Sequence, residues 1–96
     1  MLIGAHVSLA GGLPKAIERG VERGCRAIQI FNQSPRMWRP TAHSEEDVAA
    51  FREAIARSPI EAVVIHTVYL LNCASPDREI RAKSLTSLVH SLRVGA

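Results

Sequence analysis

The sequence has few cysteines and no long apolar run, and each absence excludes a class of protein. No stretch approaches the roughly 20 apolar residues that a membrane-spanning helix needs, and the first residues lack the basic-then-apolar pattern of a signal peptide. Cys25 and Cys73 lack CxxC spacing, so neither a disulfide framework nor a cysteine-based zinc site is indicated. These absences predict a cytoplasmic protein.

The composition is that of a small globular domain with a surplus of arginine. The 96 residues are 47% hydrophobic and 22% charged, which suits one small domain with a modest core. All but two of the 12 basic residues are arginines, and nine acidic residues leave a net charge of +3. Because arginine binds phosphate in a bidentate manner, this balance leans slightly toward an anionic partner.

Three short apolar stretches predict β-strands, over residues 2–7, 26–31 and 62–66. Each is followed by a segment with helical periodicity. In the first segment Leu13, Ile17 and Val21, with Ala16 and Gly20 beside them, form one apolar stripe, and Gly24 ends the helix. In the second, the pair Ser44 and Asp47 resembles a capping box, with Val48, Phe51 and Ile55 on the buried face. In the third, Ser75-Pro76 marks the start, and the stripe comprises Leu85, Leu88, Val89 and Leu92.

This alternation of strand and helix predicts an α/β fold. Such an order specifies parallel strands that are joined by right-handed crossovers, with helices covering the sheet. Three parallel strands alone leave both sheet edges unpaired. We therefore expect the chain to be the opening portion of a larger structure.

The third strand carries the most informative residue, His66, at its carboxyl end. In α/β sheets that end holds the ligand crevice, and an imidazole there is a candidate metal ligand or general base. The alternative is a histidine whose ring bonds a backbone carbonyl in the strand-to-loop turn. Both interpretations fit the spacing.

Polar groups follow all three strands and should converge on one rim of the sheet. They are His6 and Ser8, then residues 32–39, then His66, Tyr69 and Asn72. His6 is a metal ligand, a partner of a ligand, or a core histidine bonded to a neighbouring carbonyl, and we favour the last two. No carboxylate lies on this rim. Because a hydrolytic zinc site needs three or more protein ligands, any site that His66 serves must be completed elsewhere.

The loop after the second strand interleaves Arg36 and Arg39 with Trp38. This combination can pair with phosphates and offer a flat face to a base or sugar. Alternatively, Trp38 packs on the rim among solvated arginines, which we favour. Tyr69 and Leu70 could enter a base stack as apolar wedges, or Leu70 could seat its loop against the core.

Three segments together resemble the amino-terminal part of endonuclease IV, a zinc-dependent apurinic/apyrimidinic endonuclease family of base-excision repair. They are GAHVSLAGGLPKAIERG (Gly4 to Gly20), QIFNQSPRMWR (Gln29 to Arg39) and IHTVYLLN (Ile65 to Asn72). The resemblance covers essentially the whole chain. It implies a TIM barrel, which runs to about 250 residues, so residues 1–96 would be the amino-terminal part of one truncated barrel domain with its first three βα units.

The resemblance also implies a site and a reaction. A cluster of three Zn²⁺ ions would direct cleavage of the phosphodiester 5′ to an abasic site in double-stranded DNA. His66 matches a zinc ligand of the family, whereas Arg36, Tyr69 and Leu70 match residues that enter DNA at the abasic site. Val68 stands where family members often have Pro or Ser. The other ligands would come from later strands, so we expect no catalytic residue in this chain beyond His66.

Two other interpretations remain open. A metal-dependent sugar isomerase or epimerase would share the barrel, because fold alone does not determine chemistry; the arginine-bearing loop favours a polyanion instead. The chain could also be an inactive barrel fragment that needs a partner chain. We expect the complete family member to be monomeric, and this fragment to self-associate through its exposed edges.

Overall fold

The computed structural model describes every residue from Met1 to Ala96, and strands and helices alternate through it. In chain order the elements are β1 (Gly4–His6), α1 (Leu13–Glu22), β2 (Ala27–Phe31), α2 (Glu45–Ala56), β3 (Ala62–His66) and α3 (Arg78–Gly95). The predicted order of elements is confirmed. The strand β1 is shorter than predicted, and none of the three helices is long and apolar enough to cross a membrane.

The three strands form one parallel sheet with the order β1-β2-β3. Between β1 and β2, Gly4 lies opposite Ala27 and His6 lies opposite Gln29. The α/β class and the parallel arrangement are therefore confirmed. His66 is the last residue of β3, as the sequence predicts.

By its internal contacts the chain divides into two compact units. The first comprises Met1–Ile30 and Ala42–Val64, and the second comprises Phe31–Thr41 and Ile65–Ala96. The first unit has an apolar core, whose members are Val7, Leu13, Ala16, Ile17, Cys25, Ile28, Ile30 and Ile60. This is the packing expected of an amphipathic helix against the face of a sheet.

Helix α1 packs in the first unit through a glycine. A side chain at Gly20 would bring its Cβ to 2.6 Å from Cγ2 of Ile28, so only glycine allows this approach. Val21, which the sequence places in the buried stripe, is instead 42% exposed. Gly24 ends the helix as predicted: its φ is +72°, and its N–H donates to the Val21 carbonyl.

Helix α2 begins as predicted and packs against α1. The Ser44 hydroxyl accepts a hydrogen bond from the backbone N–H of Asp47 at 3.1 Å, which satisfies one of the unpaired donors of the first turn. Its expected buried face is incomplete, because Val48, Phe51 and Ile55 are only half-buried.

The second unit has a mostly polar interior. Val68 is its one fully buried hydrophobic residue, whereas its buried polar residues are Asn32, Gln33, Ser75, Ser84, Ser87 and Ser91. Helix α3 begins at Arg78, two positions after Pro76, with Asp77 as its N-cap. The Asp77 carboxylate accepts hydrogen bonds from the N–H groups of Glu79 and Ile80.

Helix α3 buries its serines, and the predicted apolar stripe is only partly covered, because Leu88 and Val89 are half-buried. Leu85 and Leu92 are 60% and 66% exposed. The reason is the polarity of the groups that the helix meets. The Ser84 hydroxyl accepts from the backbone N–H of Asn72 at 2.8 Å, and the Ser91 hydroxyl donates to Oδ1 of Asn32 at 3.3 Å. A leucine at either position would leave such a group unpaired.

Removal of the hydroxyl should affect the free energy of unfolding differently at two serines on this face. Ser84→Ala is expected to lower the free energy of unfolding by about 1–2 kcal/mol, because it strands the Asn72 N–H. Ser87→Ala should leave that free energy unchanged or raise it by about 0.5–1 kcal/mol, since the buried Ser87 Oγ has no hydrogen-bond partner. Urea denaturation of the two variants, which lie on one face of one helix, measures the difference. Equal losses of unfolding free energy in the two variants would contradict the different hydrogen bonding of Ser84 and Ser87.

Candidate functional site

His66 makes the contact with a backbone carbonyl that the sequence offered as one alternative, and this contact is compatible with a ligand role as well. Its Nδ1 lies 2.6 Å from the backbone carbonyl of Thr67, and a carbonyl can only accept, so Nδ1 carries the proton and donates. In that tautomer the metal-binding lone pair is on Nε2. A backbone carbonyl that holds the other ring nitrogen is the usual way in which a ligating histidine is oriented.

Three aromatic rings meet at the ends of β2 and β3. The ring of Phe31 lies 4.8 Å from that of His66 and 5.3 Å from that of Tyr69, and the last two are 5.9 Å apart. The arrangement is tilted and edge-to-face, which is the preferred geometry for such pairs. The cluster therefore brings the candidate ligand His66 beside Tyr69, a candidate DNA contact.

Phe31 was not among the residues singled out from the sequence. It is the last residue of β2, as His66 is the last of β3. Adjacent parallel strands that end at the same edge bring their final residues together, so the end positions of the two strands are the signal that could have identified it.

The loop after β2 (residues 32–40, the β2 loop) and the loop after β3 (residues 67–76, the β3 loop) are bonded to each other. The backbone N–H of Tyr69 donates to the carbonyl of Pro35 at 2.8 Å. Pro35 occupies the second position of a turn that the Met37 N–H closes onto the Ser34 carbonyl at 3.3 Å. Arg36, the third residue of this turn, is exposed.

A buried amide, Gln33, holds the β2 loop from within. Its Nε2 donates to the carbonyls of Met37 at 3.3 Å and Arg39 at 3.2 Å. Sequence reasoning counted this residue among the polar groups of the rim but missed its buried, loop-bonding role. A polar side chain in a polar loop gives no sign that it turns inward, and only the path of the backbone brings the two carbonyls to it.

The β3 loop has one buried residue followed by two exposed ones. Val68 is 3% exposed, Tyr69 is 62% exposed and Leu70 is 39% exposed. The N–H of Leu71 donates to the Val68 carbonyl at 3.3 Å, which closes a turn around the two exposed residues. Val68 thus anchors the loop, and the interpretation that Leu70 seats it against the core is not needed.

Trp38 follows the packing interpretation. It is half-buried and lines a cavity of about 190 Å³ with Gln33, Pro40 and residues of α3 that include Thr86 and His90. Arg36 and Arg39, on either side of it, are exposed. The indole therefore supports the β2 loop, and the arginines are the groups that a ligand can reach.

His6 lies in the first unit, where it is exposed. Its Nδ1 is 3.1 Å from Oε1 of Gln29 on the neighbouring strand, so the ring donates to an amide oxygen. The interpretation as a core histidine is therefore wrong. The Ser8 hydroxyl, also in this unit, accepts from the N–H of Ala10 at 3.0 Å.

The chain does not form a complete metal site by itself. No group of three or more His, Cys, Asp or Glu side chains is placed to hold a metal ion, whereas hydrolytic zinc sites take three protein ligands. His66 has a tautomer that such a site can use, with the proton on Nδ1 and the lone pair on Nε2. The residues present therefore fit one ligand of a metal centre.

Comparisons with known proteins give a consistent result. A probable endonuclease 4 from Geotalea daltonii is 47% identical over 83 residues, which cover 86% of this chain and 29% of the relative. Another from Methanoculleus marisnigri is 43% identical over 97% of this chain and 33% of the relative. No protein-family model matches the chain.

The fold comparison agrees with the sequence comparison. The crystal structure of endonuclease IV from Thermus thermophilus matches with a TM-score of 0.86 and 39% identity, over 96% of this chain and 35% of that one. The chain thus spans about a third of the length of the proteins that it matches. Its three parallel βα units are those of a TIM barrel, and the chain is homologous to the amino-terminal part of the endonuclease IV family.

Proposed function

We propose that residues 1–96 form the amino-terminal part of a single TIM-barrel domain whose activity is zinc-dependent cleavage of DNA 5′ to abasic sites. The observation that carries this proposal is the cluster of Phe31, His66 and Tyr69. It places a histidine of metal-binding tautomer beside an exposed aromatic residue, on a loop bonded to the one that bears Arg36.

His66 would hold zinc through Nε2, while the Thr67 carbonyl keeps the proton on Nδ1. When bound, zinc would supply an activated water and neutralise charge on the phosphate. The ring of Phe31, packed on both neighbours, would limit rotation of the imidazole. The remaining ligands would come from the part of the barrel that these 96 residues do not include.

The exposed residues of the two loops would bind the DNA. Arg36 would pair with a phosphate oxygen, which fixes register without reading sequence. Tyr69 and Leu70 would enter the space that the missing base leaves, where insertion displaces no base pair and unstacking costs least. The hydrogen bond between Tyr69 and Pro35 would keep these groups in one arrangement.

The proposal extends to the setting in which the chain works. One metal ligand and about a third of the family's length do not make a catalytic centre, so incision belongs to the complete barrel. That complete protein would act as a cytoplasmic monomer. Binding to DNA that contains an abasic site needs only the loops, and the 96-residue chain would retain some of it.

The DNA contact can be tested on this chain with Arg36→Ala. Loss of one phosphate contact is expected to weaken binding to an abasic duplex by about tenfold at low salt. It should also reduce the slope of log K against log salt by about 0.9. Fluorescence anisotropy over a salt series measures both, with Arg57→Ala as the control, because Arg57 is an exposed arginine of the first unit. Equal effects of the two variants would refute a specific role for Arg36.

A further inference from the structure

Gln33 has the burial and bonding of a residue that organises a loop. It is 6% exposed, and its single amide nitrogen donates to two carbonyls, those of Met37 and Arg39. The orientation of the amide is determined by these partners, because the reversed amide would set its oxygen against both carbonyls. Its Oε1 is buried without a hydrogen-bond partner, so the donor side is what holds the side chain in place.

The two hydrogen bonds close the β2 loop on itself. They run from residue 33 to residues 37 and 39 and enclose the turn from Ser34 to Met37, in which Arg36 is exposed. Because the loop is held on both sides of Arg36, Arg36 has few alternative positions. A loop that became ordered only when a ligand bound would lose conformational entropy at that step.

The same turn reaches the β3 loop. The Pro35 carbonyl, which accepts from the Tyr69 N–H at 2.8 Å, lies inside the segment that Gln33 closes. Gln33 therefore constrains Pro35, the neighbour of Arg36 whose carbonyl accepts the hydrogen bond from Tyr69. Loss of its two hydrogen bonds would free the turn of Arg36 at the end that leads to Arg39.

We propose that Gln33 is the positioning residue of Arg36: it orders the β2 loop before DNA arrives, so that the guanidinium meets the phosphate without an ordering cost. Only the DNA-binding part of this proposal rests on the proposed function. Gln33 touches neither metal nor DNA, and it acts through the conformation of residues 34–39.

Gln33→Met tests the positioning of the loop without DNA. Methionine has a similar length and no donor, so the loop should open more often. Trypsin is expected to cut after Arg36 at least about fivefold faster in the variant, with the rate after Arg57 unchanged. Arg39 precedes Pro40 and gives no competing cut in the loop. An unchanged rate after Arg36, or equal acceleration at both sites, would overturn the proposal, since the latter shows only a general loss of stability.

A double-variant cycle tests whether Gln33 acts through Arg36. Gln33→Met alone should weaken binding to abasic duplex DNA about three- to tenfold. In the Arg36→Ala background it should change the affinity by less than about twofold, because the group that it positions is gone. If the affinity losses of the two single variants simply multiply in the double variant, the proposal is overturned. If the unmodified chain binds no DNA, the proposed function fails, while the trypsin rates still decide whether Gln33 orders the turn of Arg36.

Discussion

A chimera of these 96 residues with the remaining length of the Thermus thermophilus endonuclease IV is expected to cut DNA 5′ to an abasic site. The 96-residue chain alone is expected to show no incision. The physical reason is the ligand count. His66 provides one imidazole, and no group of three potential ligands exists in the chain. Metal-assisted hydrolysis needs three protein ligands and one coordination position that is open to water or substrate.

In the chimera, His66→Ala should lower the rate of incision by at least about 100-fold, because even loss of a group that only orients a metal ligand costs 10–100-fold. Zinc content per protein, measured by mass spectrometry of the metal, should fall with it. His43→Ala is the matched control, since His43 lies just before α2 in the first unit. Full activity of the His66 variant, or incision by the chain alone, would contradict the proposed role.

Glutamate at positions 85 and 92 is expected to prevent self-association of the 96-residue chain. Leu85 and Leu92 are 60% and 66% exposed and lie seven residues apart on α3, which places them on one face of the helix. Burial of a leucine side chain contributes about 1.5–3 kcal/mol, so the two exposed leucines of each copy favour association. Sedimentation equilibrium should show concentration-dependent oligomers for the unmodified chain, and a monomer for Leu85→Glu combined with Leu92→Glu.

The control for this experiment adds the same charge, at the same spacing, to another helix. Ala49 and Ala56 are exposed and lie seven residues apart on α2, and Ala49→Glu combined with Ala56→Glu should leave the association unchanged. A stable monomer of the unmodified chain at high concentration would show that the exposed leucines do not bind a second copy. That result would also remove one physical reason to expect that further polypeptide covers this helix.

Much of the fold could be predicted from local sequence because its causes are local. The β-branched stretch 62–66 forms β3, Ser44 caps α2, and Gly24 ends α1 through a positive φ. Each follows from the steric or hydrogen-bonding preference of a few neighbouring residues. Three segments were enough to predict a resemblance to endonuclease IV, and the sequence and fold comparisons confirm that resemblance.

The faces of the helices were predicted less well, because periodicity shows that a helix is amphipathic but not which side meets which neighbour. In α1, Gly20 is buried as its place in the predicted stripe indicates, whereas Val21 is exposed. In α3, the buried side is Ser84, Ser87 and Ser91, since the β2 and β3 loops present polar groups to it. A prediction from hydrophobicity alone assigned the leucines to the buried side instead.

By itself, the sequence determined the order of the elements, the position of His66 at the end of β3, and the residues Arg36, Tyr69 and Leu70 as candidates. Only the tertiary structure decided how these residues are held. It placed Phe31 against both His66 and Tyr69, joined Tyr69 to Pro35, and turned Gln33 inward to two carbonyls. The physical reason is that a strand or a cap depends on residues adjacent in the chain, whereas each of these contacts requires the folded path of the backbone to bring its partners together.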